Sequence, residues 1–221
     1  MDYGTIGPFL GIYFVLNVPL PLWITSQVFA FFAFIFSVWS WQVKNKIKMM
    51  LLVGIFSAFL AISASFLENY TLGVLFGLAA IRNFVFCYLD WRVSKGKFVA
   101  KWLPYAFAGL FATLTIASTV ILVYILQVPS VGAWLEWLIC ATLLGLIIGN
   151  ILKGTNLMRC SFIANRIFNI INHAHFANII AVFIAISAIA SNLIFYLREW
   201  ISWTKERKAQ SEAISEGENV T

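Results

Sequence analysis

Charge is what this sequence has least of. Only 11% of its 221 residues are Asp, Glu, Lys or Arg, against roughly 25% in a soluble domain, while 62% are hydrophobic. A globule of this length has no interior large enough to hide so much apolar surface, so most of it is expected to face lipid. Cysteine and histidine are scarce too. Cys87, Cys140 and Cys160 lie in or beside apolar segments and form no CxxC pair, which argues against a zinc site or a redox couple. His173 and His175 are too few for a metal cluster, so neither a metal nor a cofactor is expected. No basic n-region of a signal peptide opens the chain, and insertion is expected to rely on the first membrane helices. A net charge of +6 would point to nucleic acid in a soluble protein; here the positions of the charges point to topology instead, and no nucleic-acid partner is expected.

Carboxylates are absent where a pump would need them. Asp2, Glu68, Asp90, Glu136, Glu199, Glu206, Glu212, Glu216 and Glu218 all fall in loops, at helix ends or in the tail. Proton-driven carriers rely on Asp, Glu or His within the membrane, so this pattern favours passive movement down a gradient. It also speaks against an enzyme: there is no acid pair, no nucleophile with an evident base and no phosphate-cradling loop.

Long apolar runs dominate what is present. A spanning helix needs about 20 apolar residues, and the chain offers about seven such runs: Pro21–Val43, Lys48–Leu67, Tyr70–Trp91, Lys101–Gln127, Gly132–Leu152, Leu157–His173 and Asn178–Trp200. The fold class is therefore an all-α integral membrane protein. Residues 1–20 are apolar but short and interrupted by Pro8 and Pro19, and proline ends or kinks a helix. A short interfacial or re-entrant segment is expected there, with an eighth span as the alternative. Residues 201–221 read as a polar tail, disordered or a frayed helix end.

Thirteen of the fifteen basic residues sit in every second connection: Lys44, Lys46 and Lys48; Arg92, Lys95, Lys97 and Lys101; Lys153 and Arg159; Arg198, Lys205, Arg207 and Lys208. That alternation obeys the positive-inside rule and places the C-terminus in the cytoplasm. Trp23, Trp39, Trp41, Trp91, Trp102, Trp134, Trp137, Trp200 and Trp203 lie near the ends of the runs, where an indole keeps its N–H wet and its ring in an apolar layer.

The chain also resembles itself at a spacing of 109 residues. Lys44–Trp91 lies over Lys153–Trp200 without a gap, with nine identities in 48 positions: Lys44/Lys153, Met49/Met158, Phe59/Phe168, Ile62/Ile171, Asn69/Asn178, Ala79/Ala188, Asn83/Asn192, Phe86/Phe195 and Trp91/Trp200. Spans one to three then correspond to spans five to seven, in a 3+1+3 parallel repeat: residues 21–91 form the first unit, 92–131 a linker helix with its loops, and 132–200 the second unit. The bland reading is that two apolar triplets look alike because lipid selects for likeness.

The stretch Lys153-Gly154-Thr155-Asn156-Leu157-Met158-Arg159-Cys160, the element Ala80-Ile81-Arg82-Asn83 and Trp102-Leu103-Pro104, in that setting of spans and basic loops, resemble the YgjV family of bacterial inner-membrane proteins over about Ser26–Trp200. The resemblance implies an inner-membrane location and no assigned substrate. The helix arrangement also looks like that of the SWEET and PnuC-type carriers, but the Pro-Gln pair and mid-repeat proline of SWEETs are missing, which puts proline-hinged rocking in doubt.

A site in such a bundle would be built from polar side chains facing inward. Asn165, Asn169 and Asn172 fall at i, i+4 and i+7 on span six, on one helix face. They suit a polar solute, or act as interhelical glue. Arg82 and Arg166 are the basic residues well inside spans, and either form an electropositive cavity for a carboxylate or phosphate or snorkel to cytoplasmic headgroups. Asn83 and Asn192 are repeat counterparts at equal depth. His173 and His175 read as ordinary residues of an outer turn. The expected function is a facilitative small-solute carrier lined by these seven Asn and Arg residues; the alternative is a structural or accessory membrane protein binding lipid or a partner, and a homo-oligomer is left open.

Overall fold

The structure is a computed structural model that describes the backbone of residues 5–9, 12–15, 18–43, 45–128, 132–152 and 155–218, and most side chains between 18 and 207 apart from 149–160. Within lipid a backbone can satisfy its own polar groups only as a helix or a closed barrel, and the apolar runs are helices: α1 Leu20–Gln42, α2 Lys46–Phe66, α3 Tyr70–Ser94, α4 Leu103–Val120, α5 Ala133–Leu152, α6 Thr155–His175 and α7 Ile179–Glu218. Their starts are written locally. Pro21 and Pro104 stand in the first turns of α1 and α4, where the missing N–H costs nothing. Asn45 and Asn69 cap α2 and α3 by accepting from Lys48 N and Leu72 N, at 3.1 and 3.2 Å.

Each helix packs on its sequence neighbours and α1 closes on α7, so the seven make a ring in which α4 stands between α3 and α5. α3 and α5 touch only lightly, whereas α1 packs along α7. One apolar cluster, centred on Phe56, Leu60, Leu72, Leu75, Leu135, Ile139 and Ile184, fills the interior toward the α2–α3 and α6–α7 turns. A second, of Met50, Phe86, Leu89, Ala108, Phe111 and Ile147, ties α2, α3, α4 and α5 nearer the other end. Phe31, Phe32, Ile81, Phe183, Leu193 and Leu197 are exposed on the outside of the ring, as a lipid-facing surface requires.

Among the described residues five helices are long and apolar enough to cross a membrane, over Leu20–Ser40, Ile47–Phe66, Tyr70–Ser94, Leu103–Ile125 and Ile179–Lys205; α5 offers the shorter apolar stretch Ala133–Ile148. α6 falls short because its inward face is polar. Helices that carry a functional or adhesive face lose hydropathy on that face, so a run that reads as a span by pattern fails on composition.

Three features refine those expectations. Thr5–Phe9 and Ile12–Val15 pair as antiparallel strands β1 and β2, with Thr5 opposite Val15 and Ile6 opposite Phe14. This segment is thus no eighth helix; its β-branched and aromatic residues pair instead. The polar tail is helical: α7 runs without a break to Glu218, so at 1.5 Å per residue its 40 residues extend about 60 Å. Roughly half lies beyond a hydrocarbon core of about 30 Å. Finally, span four does not end as an α-helix. Ile121–Ile125 forms a π-helical turn, with Leu126 N donating to Ile121 O at 2.8 Å.

Candidate functional site

Asn165, Asn169 and Asn172 of α6 are buried, and each is engaged. Asn165 donates from Nδ2 to Thr142 Oγ1 on α5 at 2.9 Å, and Asn169 donates to Asn165 Oδ1 at 2.8 Å. Asn172 donates to Glu136 Oε1 in the first turn of α5 at 3.0 Å and accepts from Asn69 Nδ2 at the start of α3. One face of α6 thus reaches two other helices through amides, and the i, i+4, i+7 spacing produces the single-file arrangement it implies.

The end at the α2–α3 and α6–α7 turns holds a second set of polar contacts. Asn178 donates to Ser63 Oγ on α2 at 2.9 Å while its Oδ1 accepts from Ala181 N in the first turn of α7. Ser63 in turn meets Ser26 of α1, hydroxyl to hydroxyl, at 2.9 Å. Gln27 of α1 donates from Nε2 to Ala177 O at 3.5 Å and accepts from Ile180 N at 3.2 Å; Trp23 Nε1 also donates to Ala177 O, at 3.0 Å.

These contacts share a register. Asn69 on its turn reaches Asn172, and Asn178 on its turn reaches Ser63; Asn178 stands 109 residues after Asn69, and Asn172 stands 109 after Ser63. The residue before each asparagine, Glu68 or Ala177, has positive φ, at 59° and 52°. Asn69 N donates to Ala64 O and Asn178 N to His173 O, again 109 residues apart.

The buried arginines lie elsewhere. Arg82 is 6% exposed and twelve residues from either end of α3, about 18 Å at helical rise. A guanidinium at that depth cannot snorkel to headgroups. It lines a narrow cleft between α3, α4 and α5, beside Leu75, Leu78, Ala79, Phe111, Thr115 and Leu143, too tight to admit water. Its Nη2 donates to Asn83 Oδ1 at 3.4 Å, its Nε has no hydrogen-bond partner, and no carboxylate among the described residues pairs with it. Arg166 is equally buried on α6, its guanidinium 5.0 Å from the centre of the Phe56 ring on α2, a cation–π arrangement.

The seven residues expected to line one site therefore separate. Asn165, Asn169 and Asn172 form a file along α6; Arg82 lines the α3–α4–α5 cleft and is bonded to Asn83; Asn192 donates to Ala188 O of its own helix at 2.8 Å and reaches no other element through that bond. The sequence reading missed two participants. Glu136 was read as a helix-end acid, which it is, but it is fully buried with Oε2 lacking a partner. His173 is not a turn residue: it is 1% exposed on α6, stacked on Phe76 at 6.0 Å with Nε2 unpartnered. Its position four residues past Asn169, on the polar face, was the available signal.

Buried polar atoms are satisfied in the great majority of cases. Here Thr71 Oγ1, Arg82 Nε, Asn83 Nδ2, Glu136 Oε2, Asn169 Oδ1, His173 Nε2 and Asn192 Oδ1 are not. They lie on α3, α5, α6 and α7, so the interior carries more hydrogen-bonding capacity than its own packing uses.

Against this geometry, the model of the Imp-YgjV family, described as bacterial inner membrane protein, matches residues 24–202. No curated protein and no solved structure matches the chain.

Proposed function

The chain belongs to the Imp-YgjV family of bacterial inner membrane proteins, and from that premise we propose that it is a membrane carrier for a small polar solute bearing an anionic group. The observation that carries this reading is the unused polar capacity of the interior, Arg82 above all. A cation at mid-depth without a carboxylate is costly and marks a site by default. Asn83 beside it and the amide file of α6 add donors and acceptors for hydroxyls or amides. The reciprocal contacts of Asn69 and Asn178 support two parallel three-helix units, α1–α3 and α5–α7, joined by α4. Solute would pass as one unit rocks against the other, the closed cleft at Arg82 being an occluded stage. The alternation of basic connections supports a cytoplasmic C-terminus.

The test is ligand-induced stabilisation followed by uptake. A solute at about 100 times its Kd stabilises its protein by about 2.7 kcal/mol. A panel of small carboxylates and phosphates should contain a compound that raises the melting temperature of the purified protein and accumulates in proteoliposomes. Both effects should vanish in Arg82→Gln and Asn169→Leu. A panel with no stabilising and no transported compound would refute the carrier.

A second reading, an adhesive or accessory membrane protein, has its own support in the Asn172, Asn69 and Asn178 bonds, which join five helices at one end. Under that reading Asn169→Leu lowers stability and no solute raises it.

A further inference from the structure

The 109-residue register places Gln27 and Glu136 in equivalent positions, at the eighth residue of α1 and the fourth of α5. Gln27 clamps the α6–α7 turn with one donor and one acceptor: Nε2 donates to the carbonyl of Ala177, the positive-φ residue, and Oε1 accepts from Ile180 N. The counterparts of those groups on the α2–α3 turn are the Glu68 carbonyl and the Thr71 N–H. Glu136 is held toward that turn through Asn172, which bonds both Glu136 and Asn69. Its Oε2 is buried without a partner, and so is Thr71 Oγ1.

The chemistry of the two side chains differs in one respect. An amide both donates and accepts; an ionised carboxylate only accepts; a protonated carboxyl again does both. We propose that Glu136 is a proton-binding site, and that the protonated carboxyl closes on the α2–α3 turn as Gln27 closes on the α6–α7 turn. The proton comes from the aqueous phase on the turn side and forms an O–H bond at Oε2. That group donates to the turn carbonyl, and the carboxyl charge goes from −1 to neutral. Opening returns the same proton to water, and no electrons move. The asymmetry of the ring agrees: α1 packs along α7, where the amide clamp is shut, while α5 only grazes α3.

Toward the turn end of the elements around Glu136, the ionisable side chains among the described residues include His173, Arg166 and the exposed His175 on α6, Glu68 in the facing turn, Tyr70 and, deeper, Arg82 on α3, Cys140 one turn on along α5, and Tyr124 on the π-turn after α4. His173 stacks on Phe76, Arg166 lies over the Phe56 ring and Tyr124 accepts from Trp137. The inference rests on the duplication argued above and not on solute movement. If the protein is a carrier, its cycle is linked to a proton, which replaces the passive mechanism expected from the acid positions.

The test follows the two turns without any solute. In the full-length protein with Cys87, Cys140 and Cys160 replaced by Ala, spin labels at Tyr70→Cys and Trp134→Cys report the α3–α5 separation. The distance distribution is recorded from about pH 5 to about pH 9, a range in which buried carboxyls titrate. Two populations are expected, their ratio changing by up to about tenfold per pH unit, the limit for one proton. Glu136→Gln should hold the short distance at every pH. Gln27→Glu, which leaves Glu136 intact, should give the α6–α7 turn a pH dependence it lacks, read from labels at Leu22→Cys and Phe183→Cys. A wild-type ratio constant across the range, or Glu136→Gln titrating like wild type, overturns the proposal. Because no solute enters, failure of the carrier reading leaves these outcomes unchanged.

Discussion

Asn172 joins two other elements through one amide, accepting from Asn69 and donating to Glu136. Replacing it by Leu leaves a donor and a carboxylate oxygen buried without a partner. Each orphaned group costs about 1–3 kcal/mol in soluble proteins, and side-chain bonds between membrane helices average only about 0.6 kcal/mol. The orphaning dominates, because Asn69 and Glu136 stay buried after the change. With two such groups, Asn172→Leu is therefore expected to lower unfolding stability by about 2–6 kcal/mol. Asn192→Leu, whose amide donates only to its own helix, should cost no more than about 0.6 kcal/mol. Thermal unfolding of both variants in the same detergent checks the order; equal losses would refute the linking role of Asn172.

At the scale of the element, helices approach where side chains are small. A Cβ added at Gly145 of α5 would stand 3.1 Å from Ser161 Cβ on α6, too close for a rotamer change to relieve. The α5–α6 crossing that presents Asn165 to Thr142 thus depends on glycine there. Gly145→Val is expected to destabilise the protein by about 1–3 kcal/mol through overpacking, whereas Gly77→Ala on α3, with nothing within 4 Å, should be neutral or stabilising by up to about 1 kcal/mol from helix propensity. Heat-denaturation curves of the two would separate packing from propensity. The helices themselves were legible because apolar run length and Asn or Pro at the starts act locally. The π-turn at Ile121–Ile125 was not, since its residues are as apolar as those before it and the extra residue per turn leaves no compositional trace.

For the whole molecule, the alternation of basic connections predicts that the α2–α3 and α6–α7 turns lie on one side and the α3–α4 connection on the other. In a background lacking the native cysteines, Glu68→Cys and Gly96→Cys, both exposed, should react with an impermeant maleimide from opposite faces of the membrane, Gly96→Cys from the cytoplasmic one. Labelling of both from one side would remove the parallel arrangement of the two units. The candidate site was legible in part. The spacing of Asn165, Asn169 and Asn172 gave a single polar face, and burial bears that out. The grouping with Asn192 did not follow, because register along a helix says nothing of which neighbour a face meets.

Hydrophobic run length, the placement of lysine and arginine, and the 109-residue likeness were all decided by the order of amino acids, because each reflects a preference a residue expresses toward lipid, water or its own backbone. The burial of Glu136 and His173, the depth at which Arg82 is trapped and the reciprocal contacts of Asn69 and Asn178 were decided only when the helices closed into a ring. Burial is a property of what surrounds a side chain, and residues tens of positions to more than a hundred away supply it.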